Sequence, residues 1–242
     1  MSKSTSIRAL AAALGIALAA PAAAQARGAP PPPPPREETD GEKAIGKWGL
    51  AFFGVQTLAF GTFNTAPNTV DVYTIGVRRW MQPSPGSTRS WGFDAGLGLV
   101  TGNTTHEAPV AGAPVTYKAS ALGLSLHLGV PVALARGRHI TFLALPEGNV
   151  LYATGGNDYP GPGRTQWKGY GFDIGARAGF ELFFGFLGMP QFALEGTVGL
   201  ALHYSAASGK LGNAETKDSS WTFGTDKPLG FVTGNIAAIY YY

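Results

Sequence analysis

Asp94, His127, Asp173, Arg177, Glu181, Glu195 and His203 are the residue types that can move protons, hold a metal or pair with one another. A metal centre needs several ligands brought together at short spacing. The four histidines, His106, His127, His139 and His203, are scattered without such spacing, so neither a metal nor another cofactor is expected. The absence of cysteine excludes a thiolate nucleophile, a disulfide scaffold and a lipid-modified N-terminal cysteine. Gly41 to Lys47 spells the first part of a phosphate-binding loop, G-x-x-x-x-G-K. Trp48 stands where that loop needs Ser or Thr, no strand precedes it and no helix is expected after it. Nucleotide chemistry is therefore not expected.

The elements that must position the seven polar residues repeat every two positions. Trp91, Phe93, Ala95, Leu97 and Leu99 alternate with Gly92, Asp94, Gly96, Gly98 and Val100. Leu122 to Val130 alternates through Leu124, Leu126 and Leu128 against Gly123, Ser125 and His127. Tyr170 to Leu182 sets Phe172, Ile174 and Phe180 against Asp173, Arg177 and Glu181, and Phe192 to Tyr204 sets Leu194, Val198, Leu200 and Leu202 against Glu195 and His203. Such alternation marks two-faced strands. The Gly171, Gly175, Gly179 spacing suits helix pairing in a membrane, but Asp173, Arg177 and Glu181 interrupt it with period two. Four weaker segments, 48–60, 70–81, 139–153 and 229–242, bring the expected number of strands to eight. Shorter and longer connections alternate, as an up-and-down meander requires.

Composition narrows the class. Only 14% of the 242 residues are charged and 35 are glycine, where a soluble domain carries roughly 25% charged residues. Residues 1–26 read as a secretory signal peptide: Lys3 and Arg8 are the basic start, Ala9 to Ala20 the apolar core, and Ala24-Gln25-Ala26 the cleavage site. Without Lys3 and Arg8 the chain is close to neutral, which removes any nucleic-acid footprint. The remainder contains no apolar run long enough for a membrane helix. Residues 27–47, with six prolines from Pro30 to Pro35 followed by mixed charge, read as a stiff tether. The barrel is then expected over 48–242.

Alternation alone does not say which face looks outward. The polar faces are mostly Gly, Ala, Ser and Thr with one or two charges per strand, too sparse for a solvated exterior and suited to a narrow filled lumen. The bulky faces then meet lipid. Trp48, Trp80, Trp91, Phe192, Tyr240 and Tyr242 are expected in one aromatic girdle, and Tyr117, Tyr152, Trp167 and Tyr204 in the other. The expected fold class is all-β, an eight-stranded antiparallel up-and-down transmembrane barrel. Its seven polar residues form an internal network, because an unpaired buried charge is costly.

On these features residues 48–242 resemble the small outer-membrane barrels of Gram-negative bacteria, the OmpA/OmpX/OmpW-like group. The resemblance implies both termini in the periplasm and long loops outside, Ala206 to Pro228 above all. It implies partners in outer-membrane lipid and lipopolysaccharide, and a monomer. Ile236, Ala238, Tyr240 and Tyr242 resemble the family's C-terminal assembly signal, which the outer-membrane assembly machinery reads. A narrow conduit for small apolar solutes is an alternative within the same group. His203-Tyr204-Ser205 is similar to the H-x-S pair of the outer-membrane lipid A 3-O-deacylases. That likeness implies an esterase alternative, with Ser205 as nucleophile, His203 as base and Glu215 orienting it. Parity opposes the esterase, since Leu200, Leu202 and Tyr204 claim the lipid face and leave Ser205 inside. The main expectation is a non-enzymatic barrel with a structural or binding role.

Overall fold

A computed structural model describes residues 37–63, 66–83, 89–110, 113–158, 165–211, 214–225 and 236–242. The expected signal peptide and the proline run lie outside the described residues. A short helix, α1 (Asp40–Lys43), precedes ten strand segments: β1 (Trp48–Phe63), β2 (Ala66–Trp80), β3 (Gly92–Val110), β4 (Ala113–Gly129), β5 (Val132–Arg136), β6 (Ile140–Asp158), β7 (Thr165–Phe184), β8 (Met189–Leu211), β9 (Ala214–Thr225) and β10 (Ile236–Tyr241).

Among the described residues all pairings between these strands are antiparallel, and eight strands close into a barrel. β1, β2, β3, β4, β6, β7 and β8 follow one another as a meander, and β10 bonds both β8 and β1 to complete the circle. The two remaining segments are peripheral. β5 continues the line of β4 along β6: Gly129 lies opposite Glu147 and Val132 opposite Ala144, on either side of Pro131, whose missing N–H cannot serve a ladder. β9 pairs with the far half of β8, from Leu200 opposite Thr225 to Leu211 opposite Ala214. β1 carries a bulge between Phe52 and Val55, and Gly54 there has φ 92°, a conformation that favours glycine.

The two faces divide as the period-two pattern requires. Leu97 is 69% exposed and Ile174 62%, while Ser125, His127, Glu181 and Glu195 on neighbouring positions are buried. A sheet with an apolar exterior and a polar interior is the polarity of a barrel solvated by lipid. Closure leaves no unpaired edge in the ring, which hydrocarbon demands of any spanning sheet.

Three expectations need correction. Trp80 is not in a girdle: it is buried inside beside Tyr241, because it shares the parity of Val72, Thr74 and Arg78. Trp167 also turns inward and packs on Leu151 and Ala153, while the side chain of Tyr117 lies outside the described residues. The expected long loops are largely paired strand. β3 and β4 stay in register from Thr101 opposite Leu122 to Val110 opposite Ala113, and 206–211 and 214–225 form the β8–β9 ribbon. Residues 226–228 of that expected loop lie outside the described residues. Beyond Tyr204 and Trp221 the outer face of the β8–β9 ribbon turns polar, with Ser208 opposite Lys217 and Lys210 opposite Glu215, so no hydrophobic alternation marks its far part.

Candidate functional site

The interior is filled from the end that carries α1. α1 starts with a capping box: Thr39 Oγ1 accepts from the Glu42 N–H at 3.2 Å, and the Thr39 N–H donates to Glu42 Oε2 at 2.7 Å. The Asp40 N–H donates to the Arg138 carbonyl at 2.9 Å. Its buried carboxylate accepts from His139 Nδ1 at 2.6 Å and from Lys43 Nζ at 3.2 Å. The compact unit Glu38–Tyr242 thus includes a helix that no apolar period announced.

Burial pushes the Asp40 carboxyl up, but the hydrogen bonds from His139 and Lys43 outweigh it, and its pKa lies below the usual 3.8. A group whose pKa is depressed by folding stabilises the fold above its unfolded pKa and loses that contribution as pH falls through the folded value. Acidification through the window below about 3.8 is therefore expected to release α1 before the barrel opens. Limited proteolysis near residue 40 across that range reads it; Asp40→Asn should make cleavage pH-independent there.

Above α1, side chains span the lumen. Arg136 lies with its guanidinium 5.5 Å from the Trp80 ring and donates from Nη1 to Ser90 Oγ at 2.8 Å. Trp80 Nε1 donates to the Tyr241 hydroxyl at 3.0 Å, and that hydroxyl donates to Glu181 Oε1 at 2.6 Å. Fully buried Arg78 grips Asp94 with two bonds, Nε to Oδ1 at 2.7 Å and Nη2 to Oδ2 at 2.5 Å. Its Nη1 reaches Glu195 and lies 4.0 Å from Glu181. Register builds this cluster: Arg78 lies opposite Asp94 on β2 and β3, and Glu181 opposite Glu195 on β7 and β8. Glu181 Oε2 and, on Arg136, Nε and Nη2 are buried without a direct partner.

Further along the lumen, Thr74 and Ser125 share a hydrogen bond of 2.7 Å. His127 Nδ1 donates to Asn149 Oδ1 at 2.8 Å, with its ring centroid 4.5 Å from that of Phe53. Arg177 Nε donates to Glu147 Oε1 at 2.5 Å. Nearest the ribbons, half-buried His203 donates from Nδ1 to Asp173, its direct neighbour on β7.

Of the seven residues singled out, Asp94, Glu181 and Glu195 meet in one network around Arg78, while His127, Arg177 and the Asp173–His203 pair sit in separate contacts above it. Sequence reasoning misses Arg78, Tyr241 and Glu147. Parity could have found Arg78, since Tyr73, Ile75 and Val77 already claim the outer face of β2. The esterase residues are not assembled. Ser205 Oγ bonds Ser220 Oγ at 2.9 Å across β8 and β9. Glu215 pairs with Lys217 at 3.3 Å and lies opposite Lys210, on the other face from Ser205. Ile236, Ala238, Tyr240 and Tyr242 share the outer face of the last strand, with Tyr240 54% and Tyr242 69% exposed. Among the described residues no group of His, Asp and Glu is arranged to hold a metal.

No protein-family model and no curated protein sequence matches the chain. Among solved structures, a major outer membrane protein from Thermus thermophilus is similar at 14% identity, over 81% of this chain and 99% of that one, with a TM-score of 0.41.

Proposed function

We propose that the chain is a non-enzymatic outer-membrane barrel, exported by residues 1–26 and assembled as a monomer with both termini in the periplasm. In this reading its β3–β4, β6–β7 and β8–β9 ribbons stand outside the membrane as a structural or binding element. The observation that carries it is the inverted polarity: an exposed apolar belt surrounds an interior packed with ion pairs around fully buried Arg78. The layer of Trp80, Arg78, Tyr241 and Glu181 fills the lumen where a conduit would need a path. Ile236, Ala238, Tyr240 and Tyr242 present the C-terminal strand to the assembly machinery.

The hydrogen bond from His203 to Asp173 favours one second reading, the lipid A esterase, with Asp173 rather than Glu215 orienting the imidazole. Against it, Ser205 is engaged by Ser220 and shares the inner face with His203, away from acyl chains. The purified protein in lipopolysaccharide-containing membranes is expected to run faster on gels before heating than after, release no fatty acid and pass no stepwise current. His203→Ala and Ser205→Ala should leave lipid A unchanged. Fatty-acid release lost in either variant would establish the enzyme instead, and steady conductance would establish the conduit.

A further inference from the structure

The outer face of β7, β8 and β9 is graded in a way that plain lipid solvation does not require. Direct cross-strand neighbours share a face, so the register lays out successive rows. Ile174, Leu202 and Phe223 form an aliphatic and aromatic row. One step outward come Phe172, Tyr204 and Trp221. Their rings pack together, Tyr204 and Trp221 with centroids 4.6 Å apart, Phe172 and Tyr204 5.3 Å, Phe172 and Trp221 5.5 Å. Two rows further out, Lys168, Ser208 and Lys217 lie side by side, and Lys210 follows in the next row. All three lysines are exposed. Among the described residues of these rows the only carboxylate on this face is Glu215, which engages Lys217 at 3.3 Å, so the ammonium groups outnumber it and the face is net positive.

The spacing matches a lipid. Two residues advance about 7 Å along a strand, so Lys168 stands roughly 13 Å along the strand from Phe172. Strand tilt shortens that to about 10 Å along the barrel axis. Aromatic rings settle at the boundary between hydrocarbon and headgroups, and lysine stems extend along apolar surface to place their ammonium groups beyond it. Three ammonium groups just above an aromatic shelf are placed at the depth of lipid phosphate, and the apolar row below is placed for acyl chains.

We propose that this face is a binding site for a membrane lipid whose headgroup carries phosphate, held by Lys168, Lys210 and Lys217 with its chains on the Ile174, Leu202, Phe223 row. The site deepens the membrane-barrel reading and rests on it. The test is native mass spectrometry of the full-length protein released from vesicles of equal parts phosphatidylcholine and phosphatidylglycerol. The wild-type protein should retain phosphatidylglycerol in preference. Lys168→Gln, Lys210→Gln and Lys217→Gln together should reduce that preference about tenfold, and Lys47→Gln, at the other end of the barrel, should leave it unchanged. A second readout compares the wild type with Trp221→Phe. Brominated acyl chains should quench the Trp221 contribution more strongly on phosphatidylglycerol than on phosphatidylcholine, whatever the triple variant's yield. A protein that enters neither kind of vesicle overturns the membrane reading. One that inserts but retains both lipids equally, or keeps its preference without the lysines, overturns the site alone.

Discussion

Arg78→Met is expected to destabilise the barrel by about 3 to 5 kcal/mol, the cost of breaking a buried ion pair by removing one partner. Arg78 is fully buried between β2 and the far wall of the lumen, where it serves Asp94 through two bonds and Glu195 through a third, with Glu181 at 4.0 Å. Methionine fills much of the same volume, so the loss reports charge rather than a cavity. Three carboxylates would then share a closed space, with the Tyr241 hydroxyl donating to Glu181. Urea unfolding of the protein in vesicles measures the effect. The decisive comparison is the combined variant Arg78→Met, Asp94→Leu, Glu195→Met. If stranded charge is the cause, removing the Asp94 and Glu195 carboxylates as well, and leaving Glu181 to the Tyr241 hydroxyl, should recover most of the loss, because a buried ion pair and a well-packed apolar replacement are often nearly equivalent. An Arg78→Met variant within about 0.5 kcal/mol of wild type would mean that water reaches the cluster and the lumen is not sealed there.

The same cluster shows what a period-two pattern reveals and what it hides. Every expected strand has its counterpart, and the choice of outward face follows from the sparse charge on the small-residue positions. Where alternation keeps one parity throughout, as from Leu122 to Val130, exposed and buried side chains fall as expected. Trp80 and Trp167 depart from expectation because aromatic type does not outweigh parity: the even positions of β2 and the odd positions of β7 near those residues all point inward. Tyr241 escapes notice for a related reason. The pattern ending in Tyr242 draws attention to the outer face, while the inner position carries the hydroxyl that links Trp80 to Glu181. Cross-lumen partners such as Arg78 and Glu195 are 117 positions apart. No local spacing brings them together, and only strand order and register do. The far part of the β8–β9 ribbon escapes for the opposite reason, since strands wetted on both sides need no apolar face, and beyond Tyr204 and Trp221 the register pairs Ser208 with Lys217 and Lys210 with Glu215. α1 is held by one cap and the Asp40 contacts, and at four residues it is too short for any helical period to show.

Leu126→Arg tests the facing itself, and its expected cost is about 2 to 4 kcal/mol at the bilayer midplane. Leu126 lies on the outer face of β4, opposite Leu97 on β3 and Val150 on β6, with apolar neighbours on both sides along its own strand. An arginine there must either drag water into hydrocarbon or bend far enough to reach a headgroup. Two controls fix the interpretation. Ser125→Ala, one position away and inward, removes the 2.7 Å bond with Thr74 and should cost about 1 kcal/mol, less than the outward change although Ser125 is the buried residue of the two. Thr101→Arg, exposed on β3 beyond Leu99, stands at the edge of the apolar rows, where Leu122 has threonine on both sides, and should cost about 0 to 1 kcal/mol. The same side chain thus becomes tolerable within a few residues along one face, a gradient that a water-solvated barrel has no means to produce. If Leu126→Arg is as mild as Thr101→Arg while Ser125→Ala is the costliest of the three, the exterior is not in lipid. The exposed leucines would then have to be covered by another protein surface rather than by acyl chains.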